Sequence, residues 1–216
     1  MKINIKKTKV MKVSKVGEVS ITINGTKIEQ VKSFKYLGHT MTDDGRCETE
    51  INSRIAQAKE AFSDRKELLT KSLENSTKVK IVKTLVWTKL LYGSETWTLK
   101  KEDIRKLEAL EMWLWRRMEK ISWKDRISNE VVLGRVGVER ELITTLRSRK
   151  KRWIGHVLRG DGLLKEVIEG RMEGSKPRGR PRLGMLDGLI TVSYVDMKRK
   201  AEDREGWKSY MPWTCR

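Results

Sequence analysis

The spacing of apolar residues changes once along this chain, and that change limits the possible folds more than any other feature. Before residue 43 apolar and polar residues alternate, as at Val19, Ile21 and Ile23, which is typical of a half-buried strand. After residue 45 the apolar spacing becomes three to four, which places apolar side chains on one face of a helix. The pattern predicts an α+β fold that is mainly α, with a small N-terminal antiparallel β element before a helical bundle.

Turn signals divide the N-terminal part into short strands. Asn24-Gly25 supplies the two positive φ angles of a type I′ turn and predicts a β-hairpin. A further strand is predicted over residues 34–37 and ends at Gly38, and residues 1–13 contain another candidate strand. The Asp-Asp-Gly sequence at residues 43–45 predicts the turn that leads into the helices.

Five segments have a helical period. They cover residues 49–71, 76–92, 104–121, 139–159 and 193–207. The third pattern is the clearest, because its apolar residues fall within an arc of about 120°. Glu111 also lies on that arc, and the sequence gives no reason for a carboxylate there.

Composition limits the classes of partner. The chain has 216 residues, enough for one or two domains, and a net charge of +19, which suits a polyanion such as nucleic acid. It has no apolar run of membrane-spanning or signal-peptide length, so we expect an intracellular protein, nuclear or cytoplasmic, that is not secreted and binds no membrane. Two cysteines and two histidines predict neither a disulfide framework nor a metal site, and we expect no cofactor for this chain.

Positive charge concentrates between residues 148 and 182, where 11 basic residues face 4 acidic ones. Within the predicted helix 139–159, basic side chains fall along one edge of the apolar stripe, over an arc of about 80°. The predicted nucleic-acid-binding residues of this helix are Arg149, Lys150, Lys151, Arg152, His156 and Arg159.

The run KPRGRPR at residues 176–182 resembles an AT-hook, a peptide that enters the minor groove of A·T-rich DNA. Proline favours an extended backbone, Gly179 permits close approach, and Arg178 and Arg180 reach into the groove, with Arg182 ending the run. A flexible basic linker that contacts only phosphates is an equally good interpretation, so both stay open.

Tryptophans are numerous enough to suggest base stacking. Core packing is the better interpretation of Trp113 and Trp153, because both lie in or beside apolar stripes. The candidates are Trp87, Trp97, Trp113, Trp115, Trp123 and Trp153.

Six sequence pieces occur in a characteristic order: KINIKKTKVM, VKSFKYLGHTMTDDG, LVWTKLLYGSETWTL, KKRWIGHVLRGD, RGRPR and AEDREGW. In this order the chain resembles the C-terminal part of the reverse transcriptases of non-LTR retrotransposons, of the endonuclease-reverse transcriptase type. The resemblance implies a palm-end and primer-grip-like β segment at residues 1–45 and a helical thumb-like domain at 46–160. A basic Gly/Pro linker with a C-terminal helical segment then fills residues 161–216.

The resemblance also implies roles for single residues. Phe34, Tyr36, Leu37 and Gly38 correspond to the primer grip, which presses on the primer backbone, although half-buried strand packing also explains them. Lys7 corresponds to a palm lysine near the incoming nucleotide, with a solvated strand lysine as the alternative.

The sequence lacks the catalytic aspartates that such polymerases use to hold two metal ions. We therefore expect this chain alone not to be an enzyme but a fragment of an RNA-directed DNA polymerase, in which only the full-length protein would hold divalent metal. The expected partner is an RNA/DNA hybrid or duplex DNA, and the sequence leaves the oligomeric state open. The alternatives are a non-enzymatic DNA-binding protein that uses the basic helix and the AT-hook-like loop, and a decayed element with no function as a protein.

Overall fold

The chain folds into a mainly helical α+β protein, as the apolar spacing predicts. The computed structural model describes residues 3–13, 19–70, 73–170, 179 and 182–210. No helix within these ranges is long and apolar enough to cross a membrane. The α-helices there are α1 (Glu48–Ser63), α2 (Lys66–Thr70), α3 (Asn75–Ile81), α4 (Trp87–Leu90), α5 (Lys101–Met118), α6 (Asn129–Val136), α7 (Leu142–Arg159), α8 (Leu163–Glu169), α9 (Tyr194–Glu202) and α10 (Arg204–Ser209).

Short strands form three separate two-stranded sheets within the described ranges. The β2–β3 pair is the predicted hairpin, and Asn24 and Gly25 adopt its positive φ angles of 49° and 77°. The β5–β6 pair is also antiparallel. The strands are β1 (Lys9–Val10), β2 (Thr22–Ile23), β3 (Thr26–Lys27), β4 (Glu29–Gln30), β5 (Ser33–Tyr36) and β6 (His39–Thr42).

Two details of the predicted β element were wrong. The element is not wholly antiparallel, because β1 pairs with β4 in parallel. A parallel pair needs a long connection, and the intervening chain supplies one that contains the β2–β3 hairpin, which alternation alone does not reveal. Leu37 is not part of a strand: it forms with Gly38 the two-residue turn between β5 and β6, at φ angles of 47° and 82°.

The predicted helices are confirmed in kind, with different boundaries. The predicted helix over 49–71 is two helices, α1 and α2. The second predicted helix begins at Asn75 rather than at residue 76 and contains a π-helical turn at Val82–Val86. It ends at Leu90, before Gly93, whose φ is 67°. The last predicted helix divides into α9 and α10, because the side chain of Asp203 accepts backbone hydrogen bonds and begins a new helix.

In the described part of the chain, buried apolar side chains form two clusters, and α7 contributes to both. Its N-terminal half places Leu142 and Leu146 in a larger cluster with α1 to α6. Its C-terminal half places Ile154 and Leu158 in a smaller cluster that includes Trp207. The two ends of the helical region are therefore joined through one helix.

Glu111 has a structural role that the sequence did not reveal. It is 1% exposed, and its Oε1 accepts hydrogen bonds from the backbone N–H groups of Glu141 (2.9 Å) and Leu142 (3.1 Å) at the start of α7. Burial raises the pKa of this carboxyl, and the two backbone hydrogen bonds act in the opposite direction. The side chain supplies acceptors to N–H groups that a helix start leaves unpaired.

We predict that Glu111→Ala lowers the free energy of unfolding by about 1 to 3 kcal/mol, because it leaves buried N–H groups without an acceptor. Urea denaturation checks this, with Glu108→Ala on the same helix as the control. A loss no larger than that of the control would contradict the role assigned to Glu111.

Candidate nucleic-acid interface

The turn between β5 and β6 projects the residues of the primer-grip-like piece. Leu37 is 73% exposed and adopts a left-handed backbone conformation that costs a residue with a side chain about 1 to 2 kcal/mol. Such a conformation persists where surrounding contacts hold it. Here the contacts come from α1 and from the residues that follow α4.

A buried ion pair on α1 holds the turn. Arg54 Nε donates to Glu50 Oε1 at 2.6 Å, and Arg54 Nη2 donates to the carbonyl oxygen of Gly38 at 2.7 Å. Glu50 Oε2 accepts from the backbone N–H of Thr40 at 2.7 Å. The two side chains thus bond to the turn itself and to the strand β6 that follows it, and both are almost fully buried.

Tyr92 and Gly93 complete this contact, which we call the hairpin clamp (His39, Glu50, Arg54, Tyr92 and Gly93). The ring of His39 stacks on Tyr92 with centroids 5.3 Å apart, and the Arg54 guanidinium lies 4.8 Å from the Tyr92 centroid. His39 Nδ1 is also 3.3 Å from Glu50 Oε1. A Cβ at Gly93 would overlap the His39 ring, so only glycine permits this approach.

With its turn held, the β5–β6 hairpin exposes aromatic and apolar side chains and one lysine, which together we call the hairpin surface. Its exposed residues are Phe34, Lys35, Tyr36, Leu37 and Met41. An open groove of about 620 Å³ adjoins it, lined by Lys35, Leu37, Gly38, Arg54, Gln57, Thr88, Lys89 and Tyr92. Of the four residues assigned by resemblance to the primer grip, Leu37 and Gly38 line this groove, whereas Phe34 and Tyr36 are exposed on β5 outside its lining. Sequence reasoning missed Arg54, Lys89 and Tyr92, which other elements bring to the turn.

The basic residues of α7 mostly make intramolecular bonds. Arg149 Nε donates to Glu95 at 2.8 Å, and Lys150 Nζ donates to the carbonyl of Trp97 at 2.8 Å. Lys150 is only 8% exposed, and burial lowers its pKa to about 8. These two side chains fix α7 to the residues that follow α4.

Further along α7, basic side chains hold the C-terminal helices. Lys151 Nζ donates to the carbonyls of Lys208 and Tyr210, and Arg159 Nη1 donates to the carbonyl of Ala201 at 2.7 Å. A Cβ at residue 155 would overlap the Trp207 indole ring, so glycine is required where α10 crosses α7. The exposed members of the predicted ridge are Arg152 and His156.

The remaining predicted site residues lie elsewhere. Arg178 and Arg180 fall outside the described residues, and Gly179 is exposed. Arg182 donates to the carbonyl of Asp44 at 3.0 Å, which places the end of the basic run beside the residues that follow β6. Lys7 is exposed in a turn rather than in a strand.

Asp43 and Asp44 occupy a turn, as predicted. The Asp44 carboxylate accepts hydrogen bonds from the Thr42 hydroxyl and the backbone N–H of Arg46, and these bonds lower its pKa. Across the described ranges, no group of three or more His, Cys, Asp or Glu side chains is arranged to hold a metal ion.

The sequence is similar to an uncharacterized transposon-derived protein of Caenorhabditis elegans. The two are 28% identical over 170 residues, which cover 74% of this chain and 60% of the nematode protein. The match thus spans less than two thirds of that relative, and it supports a transposon-related origin of this chain. No protein-family model matches the sequence, and no solved structure matches it significantly.

We predict that Arg54→Ala lowers the free energy of unfolding by about 3 to 5 kcal/mol, because Glu50 is left as a buried carboxylate without the guanidinium that pairs with it. Hydrogen exchange of the β5–β6 amides should accelerate more than that of the α5 amides. The matched control is the exposed Arg105 on α5, whose change to alanine should cost less than about 0.5 kcal/mol. Similar losses of unfolding free energy for Arg54→Ala and Arg105→Ala would contradict the role of Arg54 in the hairpin clamp.

Lys150 should give the fold a specific pH dependence. From about pH 8 up to the ordinary lysine pKa of 10.5, the unfolded chain carries a proton on Lys150 that the folded chain has lost. The free energy of unfolding should therefore rise with pH in this window, by about 2 to 3 kcal/mol relative to Lys150→Met. Urea titrations of both proteins at pH 7.5 and pH 10 measure this difference. Parallel pH profiles would show that Lys150 keeps its ordinary pKa.

Proposed function

We propose that this chain binds nucleic acid as the primer- and template-holding part of a retrotransposon reverse transcriptase, and that the hairpin surface makes the contact. The observation that carries the proposal concerns the β5–β6 hairpin: a buried ion pair fixes its turn, while its aromatic side chains Phe34 and Tyr36 are exposed to solvent. An aromatic set kept exposed by a rigid support is typical of a binding surface rather than of a folding core.

The chemistry of the hairpin surface fits a nucleic-acid backbone. Lys35 and Lys89 are exposed cations beside the groove and suit phosphate groups. Phe34 and Tyr36 are 39% and 58% exposed and offer apolar contact to sugars. Neither type of contact reads base identity, so binding should be strong on any sequence and sensitive to salt.

Two further observations support this proposal. The net charge of +19 favours association with a polyanion. Similarity to a transposon-derived protein agrees with the resemblance of the six sequence pieces to retrotransposon polymerases. The alternative is a DNA-binding protein that uses the basic helix and the AT-hook-like loop. Its helix has less support, since Arg149, Lys150, Lys151 and Arg159 on α7 are engaged within the protein.

The charged residues of the hairpin surface should control the salt dependence of binding. We expect Lys35→Ala combined with Lys89→Ala to weaken binding to an RNA/DNA hybrid and to reduce the slope of log K against log salt by about 1.8, or about 0.9 for each phosphate that is no longer neutralised. Fluorescence anisotropy at several salt concentrations measures the slope.

The matched control for this experiment removes two exposed lysines elsewhere, Lys80 on α3 and Lys208 on α10. That variant has the same net charge as the test variant. Equal slopes for the two variants would show that binding depends on overall charge and not on the hairpin surface.

The chain alone should hold nucleic acid without extending it, because it lacks the aspartates needed for two-metal catalysis. We expect primer extension on an RNA template with Mg²⁺ or Mn²⁺ to give no incorporation above that of a boiled sample. Incorporation that disappears when Asp43 and Asp44 are changed to alanine would overturn this expectation.

A further inference from the structure

A second surface of the molecule combines cations with tryptophan side chains. It is a groove of about 840 Å³ between the C-terminal end of α5 and the loop that leads to α6. Its lining contains basic and aromatic side chains and no acidic one. The residues that define this loop groove are Lys66, Trp113, Arg116, Arg117, Lys120, Ile121, Ser122, Trp123, Arg126 and Ile127.

Trp123 is the most prominent member of the loop groove. Its side chain is 83% exposed, the highest value among the large apolar residues that the structure describes as exposed. Tryptophan is usually well buried, since a single side chain buries about 150 to 250 Å² of largely apolar surface. By contrast Trp87, Trp97 and Trp115 are all buried in the larger core cluster.

Hydrogen bonds hold the loop around Trp123 in place. The Ser122 hydroxyl accepts from the backbone N–H of Lys124 at 3.3 Å, and Asp125 Oδ2 accepts from the backbone N–H of Ser122 at 2.6 Å. Arg116 then bonds the far side of the loop, donating from Nη2 to the Ile127 carbonyl at 2.7 Å. Trp123 therefore projects from a hydrogen-bonded turn.

Two basic residues of this loop have a left-handed backbone, with φ angles of 55° at Lys120 and 48° at Arg126. At Lys120 this conformation ends α5, because the Ile121 N–H donates to the Arg116 carbonyl at 2.9 Å and the Lys120 N–H to the Arg117 carbonyl at 3.3 Å. At Arg126 it ends the short 3-10 turn of residues Trp123–Asp125. Both residues line the groove, so these two chain reversals place two positive charges there.

A cation lies near each of the two indole rings. Lys124 Nζ lies 6.0 Å from the Trp123 centroid, and Arg117 Cζ lies 5.5 Å from the Trp113 centroid. Trp113 is half-buried and packs edge-on against Phe62 at 5.5 Å, so it forms a fixed wall, while Trp123 offers an open ring face. The acidic Asp125 is already bonded within the turn.

We infer that the loop groove binds a single-stranded segment of nucleic acid, with an unpaired base stacked on Trp123 and phosphates near Lys120, Lys124 and Arg126. Stacking on an exposed indole requires an unstacked base, which a continuous duplex does not offer. The groove lies on α5 and its following loop, apart from the hairpin surface. The inference rests on the proposed function, since it assigns a second contact to the same class of ligand.

The test compares two ligands that differ only in their bases: a single-stranded oligonucleotide of about ten nucleotides and an abasic backbone of the same length. With the full chain, Trp123→Ala should weaken binding of the base-containing strand by about 5-fold to 150-fold. The abasic strand should bind both proteins equally, because its phosphates still meet the same cations. Trp123→Phe should restore part of the affinity.

The matched control is Leu163→Ala, which removes another exposed large apolar side chain, 74% exposed on α8, outside the groove. Leu163→Ala should change neither the affinity for the base-containing strand nor that for the abasic strand. Circular dichroism should show the same helical content for all variants. An unchanged affinity of Trp123→Ala for the base-containing strand overturns the inference, as does an equal loss on both strands. Trp123-dependent binding of poly-glutamate, tighter than that of the oligonucleotide, reassigns the groove to an acidic protein partner.

An RNA/DNA hybrid measured in parallel separates the two proposals. If the hybrid still binds and Trp123→Ala does not change the affinity for the single strand, only the inference about the loop groove is wrong. If the chain binds neither the hybrid nor the single strand, both the inference about the loop groove and the proposed function are wrong.

Discussion

The buried ion pair between Glu50 and Arg54 joins the β5–β6 hairpin to helix α1, and the proposed interface depends on this ion pair. Isolated two-stranded hairpins are marginal in water, and β5–β6 pairs with no third strand in the described part of the chain. The hairpin contributes little to the apolar core, so hydrogen bonds from α1 to Gly38 and Thr40 position it. An arrangement of this kind leaves the outer side chains of the hairpin free to meet a ligand.

Positive charge has two different uses in this protein. On α7 the basic groups of Arg149, Lys150, Lys151 and Arg159 bond to a carboxylate or to backbone carbonyls and connect the two apolar clusters. Elsewhere, on the hairpin surface and in the loop groove, cations stand beside exposed aromatic rings. A local surplus of charge in the sequence therefore does not by itself locate a binding surface, since buried cations can serve packing.

The two proposed contacts suit different parts of one ligand. The hairpin surface presents apolar and cationic groups that fit a sugar-phosphate backbone, and the loop groove presents a ring that fits an unpaired base. A primer–template junction contains both a duplex and a single strand. Two surfaces of these kinds on one small chain would hold such a junction without sequence preference.

The sequence by itself determined the fold class, the Asn24-Gly25 hairpin and the approximate extents of the long helices, because these follow from local periodicity and turn chemistry. It also placed the four primer-grip-like residues next to one another, since they are consecutive or nearly so. Only the tertiary structure decided the parallel pairing of β1 with β4, the role of Glu111 and the burial of Lys150. Each of these depends on groups far apart in the chain, whose meeting is fixed by packing and hydrogen bonding rather than by local pattern.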